Sequence, residues 1–199
     1  MKHIRTLSLA GACAAALLAG CNSGETTTTK RIIEQAATIF EYTPAPGQFI
    51  NEPLSGYNNV TTPEAACAYV AQRFASRLYV SLGGWGGYIV VGFDHSIDNS
   101  SSGYKGGYNF SITGNAFKGS SEPGIVYVMQ DTNGNTLPDD EWYELKGSEY
   151  GKEETVQDYA VTYYRPTYSG ADVQWKDNQG VKGLSLIHIS EPTRRVVIS

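Results

Sequence analysis

This sequence predicts an all-β fold, an antiparallel sandwich of jelly-roll type with one short helix, and three observations predict it. Apolar and polar residues alternate in short runs, clusters of Gly, Asn, Asp and Ser separate the runs, and glycine (22) and tyrosine (14) are both abundant. Successive side chains of a strand point to opposite faces, so short alternating runs between turn residues mark half-buried strands joined by tight connections.

Taken in order, the strands are expected at Leu78–Leu82, Tyr88–Phe93, Tyr108–Ile112, Gly124–Met129, Trp142–Leu145 and Tyr159–Tyr164. Pro166 closes the last, because proline has no amide to donate to a ladder. The helix precedes them. Thr62 can cap it, Pro63 suits its first turn, and Ala66, Tyr69, Val70, Arg73 and Phe74 recur at helical spacing. The stretch from Asp172 to Gly183 reads as the middle of a hairpin.

The two ends call for separate treatment. Lys2, His3 and Arg5 precede an apolar run from Leu7 to Ala19, and Leu18-Ala19-Gly20-Cys21 resembles the bacterial lipobox. The run is too short to span a bilayer. Residues 1–20 are therefore expected to be a cleaved lipoprotein signal and Cys21 to be acylated, with 21–38 as a polar, Thr-rich spacer. Such a chain would sit at the outer membrane, anchored by lipid and displayed at the surface. At the other end, Leu184-Ser185-Leu186-Ile187-His188-Ile189-Ser190-Glu191-Pro192-Thr193-Arg194 resembles the translation of a transposase library adapter. Residues 184–199 are expected to be an artefact, which leaves 39–183 as one domain interrupted before its natural end.

Composition narrows the function classes. A net charge of −5 without a basic block argues against a nucleic-acid partner, since nothing would neutralise a row of phosphates. Three cysteines give no disulfide framework, because Cys13 leaves with the signal and Cys21 carries lipid. Cys67, among Ala65, Ala66, Ala68 and Val70, reads as a small buried apolar residue.

Val80-Ser81-Leu82-Gly83-Gly84-Trp85-Gly86-Gly87-Tyr88-Ile89-Val90-Val91-Gly92-Phe93-Asp94, Gly114-Asn115-Ala116-Phe117 and Ser121-Glu122-Pro123-Gly124-Ile125-Val126-Tyr127-Val128 together resemble a family of cell-surface proteins of gut Bacteroidetes. The resemblance spans about Phe40 to Gly183. It implies a jelly-roll unit of the galactose-binding or carbohydrate-binding-module type. It also implies, as a second reading, capture of a corrinoid (vitamin B12) beside an outer-membrane transporter. From the residues alone, the glycines around Trp85 make a tight or left-handed connection, and Trp85 is either a ligand platform or a core plug.

The sharpest chemical signal is Asp131-Thr132-Asn133-Gly134-Asn135-Thr136-Leu137-Pro138-Asp139-Asp140-Glu141. Oxygen side chains at Asp131, Asn133 and Asn135, the Leu137 carbonyl and the acids Asp139 and Asp140 follow the front half of an EF-hand-like calcium loop. Thr136 stands where that loop wants glycine, and Trp142 where it wants a bidentate glutamate. Calcium here would be structural. An Asx-rich turn without an ion reads the same residues differently.

No catalytic residue is assigned. Glu122, Glu141, Glu144 and Glu149 offer the carboxylates a glycosidase needs, but no nucleophile motif accompanies them. His95 beside Asp94 reads as a turn dipeptide. Exposed rings at Trp85, Trp142 and Tyr143 favour binding of a glycan or other small molecule. An adhesion or structural domain is the remaining class.

Overall fold

A computed structural model gives the fold and describes residues 4–10, 38–47, 50, 57, 60–94, 97, 110–114, 116–121, 124–168 and 171–185. The strands are β1 (Ile4–Ala10), β2 (Thr38–Thr43), β3 (Tyr88–Gly92), β4 (Ala116–Phe117), β5 (Ser120–Ser121), β6 (Ile125–Gln130), β7 (Trp142–Glu144), β8 (Val161–Tyr164), β9 (Val173–Asp177) and β10 (Lys182–Ser185), with helix α1 at Pro63–Ala75. They form a five-stranded sheet in the order β2-β3-β1-β6-β7, a three-stranded sheet β10-β9-β8 and the ribbon β4-β5. Every pairing is antiparallel. The class is all-β.

Local chemistry builds α1 as the sequence predicts. The Thr62 hydroxyl oxygen accepts from the Ala65 amide at 3.2 Å, Pro63 opens the first turn, and Glu64 lies there too. Its end is less obvious. Leu78 donates to the Arg73 carbonyl at 2.8 Å and Arg77 to that of Phe74 at 2.9 Å, a Schellman closure with Arg77 at φ 56° where glycine is usual.

That closure removes the strand expected at Leu78–Leu82. Leu78 and Tyr79 are exposed, and only Val80 makes a bridge. The Arg73 side chain donates through Nε to the Tyr79 carbonyl at 2.8 Å and lies 4.9 Å from the Tyr79 ring centroid, so this backbone turns back over α1 instead of joining a ladder. Phe110–Ile112 is likewise not a strand, although Phe110 and Ile112 pack against the core. Tyr108, Asn109, His95, Glu122, Cys13 and Cys21 lie outside the described residues.

Ala66 and Val70 of α1 meet Tyr42, Val80, Leu82, Ile89 and Val91 in one buried cluster. On this face of the five-stranded sheet, the packed layer is thus a helix where a sandwich would place a second sheet. Full burial of a side chain such as Val70 contributes about 1.5–3 kcal/mol. Tyr42 also donates its hydroxyl to the Ser81 carbonyl and stacks on Tyr69 with centroids 6.2 Å apart.

β1 takes the central seat, paired with β3 on one side and β6 on the other. These residues fall within the segment expected to be a cleaved signal. β2, at Thr38–Thr43, begins inside the stretch expected to be spacer.

Between Leu82 and β3, two backbones meet at glycine. A Cβ on Gly87 would stand 1.8 Å from the Leu82 carbonyl oxygen, and one on Gly83, at φ 73°, would stand 1.9 Å from that of Ala45. Neither neighbour is a side chain that can swing away. Gly87→Ala is expected to cost at least about 2 kcal/mol, lowering the melting temperature of the full chain by roughly 4–8 °C in a circular-dichroism melt. An unchanged melting temperature would show that the loop does not pack this closely.

Candidate functional site

The loop between β6 and β7 carries the residues singled out for calcium, and it is organised by its own side chains. Asp131 accepts the Gly134 amide on one carboxylate oxygen at 2.7 Å and the Thr136 amide on the other at 3.1 Å. Asn133 and Asn135 accept the amides two residues on, Asn135 at 2.9 Å and Leu137 at 2.8 Å. These are successive Asx turns, in which a short polar side chain takes the place of a backbone acceptor. Thr136 is held at φ 63°, a left-handed conformation that costs a β-branched residue energy.

Asp139 sits opposite. It accepts the Asn133 side-chain amide at 3.3 Å and that of Asn135 at 2.9 Å. Asp140 accepts the Thr132 amide at 3.1 Å and the Thr132 hydroxyl, and its own amide donates to the buried Met129 sulfur at 3.2 Å. The Thr132 hydroxyl, ahead of the Thr132 and Asn133 amides, holds the Asp140 carboxyl below its ordinary range.

The donor set suits a hard cation in one respect and must rearrange in another. Asp131, Asn133, Asn135, Asp139, Asp140 and the Leu137 carbonyl supply only oxygen, and each carboxylate oxygen in use keeps a second lone pair. The amide nitrogens of Asn133 and Asn135, however, are what face Asp139. A cation shared with Asp139 would require both amides to turn over. Among the described residues, no group of three or more His, Cys, Asp or Glu is arranged to hold a metal ion.

The predicted aromatics part company. In β7, Trp142 is half-buried and opposite the fully buried Met129, while Tyr143 is exposed on the other face and donates its hydroxyl to Glu141. Bonding to the Glu141 carboxylate raises the Tyr143 hydroxyl's pKa. Trp85 packs edge-on against Trp175 at 4.9 Å and Tyr159 at 5.7 Å, and its carbonyl accepts the Tyr163 hydroxyl at 2.9 Å. Trp85 is half-buried among these rings.

Among the candidate acids, Glu144 and Glu149 line one cavity of about 210 Å³ with Phe110, Ile125, Leu145 and Tyr150. Glu149 is engaged by Lys152 at 2.9 Å. Cys67 is half-buried, and burial is the main cause raising its thiol's pKa. Asp94 is exposed. Sequence reasoning passed over a shallow groove of about 400 Å³ on the three-stranded sheet, where Tyr164, Gln174, Lys176 and Lys182 come together. Its signal was the alternation within Val173–Asp177 and Val161–Tyr164.

No protein-family model matches this chain, and no curated protein matches it.

A depressed carboxylate favours the fold above its ordinary pKa and ceases to do so as pH falls through the lowered value. For Asp140 the depression depends first on the Thr132 hydroxyl. Thr132→Val is therefore expected to move the Asp140 titration up toward the ordinary carboxylate range in an NMR pH series. An unmoved titration would assign the depression to the amides alone.

Proposed function

We propose that this chain is a surface lipoprotein, held at the outer membrane by acyl groups on Cys21, whose β-rich domain captures an extracellular nutrient, a glycan, beside a calcium-braced loop. The supporting observation is the loop itself: the side-chain amides of Asn133 and Asn135 gather on Asp139, Thr136 is held in a left-handed backbone, and Tyr143 stands exposed at its base. A calcium ion would draw on Asp131, Asn133, Asn135, Asp139, Asp140 and the Leu137 carbonyl, offsetting the repulsion among crowded acids. The stiffened turn would then steady an exposed ring of the amphipathic kind on which sugars stack. Jelly-roll layering, with strands contributed after Gly183, belongs to the same reading.

Two experiments test it. Calcium at 100 times its dissociation constant is expected to raise stability by about 2.7 kcal/mol, and chelation to reverse this. Asp131→Ala should abolish the increment. Because both its oxygens accept backbone amides, the substitution should also cost about 1–2 kcal/mol without the ion. No heat in a calorimetric titration and no melting shift at millimolar calcium would remove the metal.

For the anchor, Cys21→Ala is expected to abolish palmitate labelling and release the protein from membranes, since each buried methylene contributes only about 0.8 kcal/mol and none would remain. The mass of the exported protein should begin at Cys21. A mass that still includes Ile4–Ala10 would overturn the lipoprotein reading.

A further inference from the structure

We infer that the outer face of β8, β9 and β10 binds a polyuronate, a sugar chain with one carboxylate per ring, through Lys176, Lys182 and Tyr164. The inference rests on the glycan-capture reading and narrows its ligand class.

Alternation along the strands sorts this sheet into two unlike faces. Val161 and Tyr163 of β8 and Val173, Trp175 and Asp177 of β9 turn inward, while Thr162, Tyr164, Gln174 and Lys176 turn out. Register then fixes the rows across the outer face. Lys182 pairs with Lys176 and Lys176 with Thr162, and in the next row Gln174 pairs with Tyr164.

Two ammonium groups are thus direct cross-strand neighbours, an arrangement that destabilises a sheet unless something anionic lies across it. Among the described residues, neither lysine meets a carboxylate within ion-pair distance. The acid nearest in sequence, Asp177, is on the opposite face, buried and bonded to the Tyr159 hydroxyl at 3.0 Å and to the amides of Gln179 and Val181. The charge pair stands in a chain whose net charge is −5, so it is a local feature and not part of a general basic surface.

The spacing selects among anions. Adjacent strands lie about 4.8 Å apart, so the two ammonium groups stand close enough together for one carboxylate-bearing chain crossing the strands to meet both Lys182 and Lys176. Tyr164, 48% exposed in the neighbouring row, offers a flat ring for a sugar face, and the Gln174 amide offers a donor and an acceptor for hydroxyls. All of them line the same groove of about 400 Å³. Two cations are too few for a nucleic-acid backbone, whose affinity scales with the number of phosphates neutralised.

The test is calorimetric titration of the detergent-solubilised full chain with polygalacturonate, with a neutral galactan of matched length and a DNA duplex alongside. Polygalacturonate is expected to bind, more weakly as salt is raised, and in clear preference to both comparators. Lys176→Ala with Lys182→Ala should weaken it about tenfold or more while leaving the melting temperature unchanged or higher, because a repelling pair is relieved. Tyr164→Ala should weaken it roughly fivefold. Undiminished binding by the double variant, or binding of the galactan alone, overturns the inference and leaves glycan capture standing; equal binding of DNA overturns the inference as well. If no sugar chain binds, both readings fall.

Discussion

The aromatic cluster around Trp85 joins the three-stranded sheet to the loop before β3, and it helps set which way the faces of that sheet turn. Trp85 is met by rings of β9 and of the segment before β8, Trp175 and Tyr159, and its own carbonyl is bonded by Tyr163 of β8. Edge-to-face pairs contribute about 0.5–1.5 kcal/mol each beyond the area they bury. The ring reaches this position because its loop lies close against the backbones of Ala45 and Leu82, which only glycine at 83 and 87 permits. Trp175 is pressed in turn against β10, where a Cβ on Gly183 would come within 2.5 Å of its ring. Inward rings that are this tightly engaged leave the lysines and Tyr164 as the outward face.

Much of the fold was legible because its signals are local. The Thr62 cap, Pro63 and the periodicity through Phe74 specify α1 without help from elsewhere; β3, β7 and β8 lie within the runs that alternate, and β6 extends one residue past its run, to Gln130. The hairpin between Asp172 and Gly183 appears as β9 and β10, turned by Asp177 and by Gly180 at φ 87°. What misled was alternation without partners. Leu78–Leu82 has a strand's pattern, yet the Schellman closure and Arg73 take up its backbone. Only the first residue of β2, Thr38, fell in the expected spacer, and the strand itself was not read, because Thr38, Glu41 and Thr43 are polar, the mark of an edge strand, here with a bulge between Ile39 and Glu41.

The acidic loop was legible in composition but not in bonding. Alternate oxygen side chains can be read as converging on an ion or as capping their own turn, and sequence spacing is the same for both. The geometry adds that Asp131, Asn133 and Asn135 each carry backbone amides, and that Thr136 adopts the conformation for which a calcium loop uses glycine. Trp142 and Tyr143 illustrate the stronger kind of inference. Neighbours on a strand must face opposite ways, so one of the two had to be exposed, and Tyr143 is.

The central seat of the large sheet joins the fold to the processing of the chain. β1 supplies both inner ladders, aligning Leu7 with Val91 on one side and Val128 on the other. If cleavage removes everything before Cys21, β3 and β6 are left facing each other with unpaired amides and carbonyls, and β2–β3 is parted from β6–β7. Exposed edges of this kind recruit whatever strand is available. An exported domain that lost β1 would therefore need another strand in that seat, antiparallel to both neighbours and apolar toward the α1 face, where Ile89, Val91, Val126 and Val128 contribute to one core. Register leaves little freedom in that choice, since a slip by one residue would turn the apolar side chains away from α1.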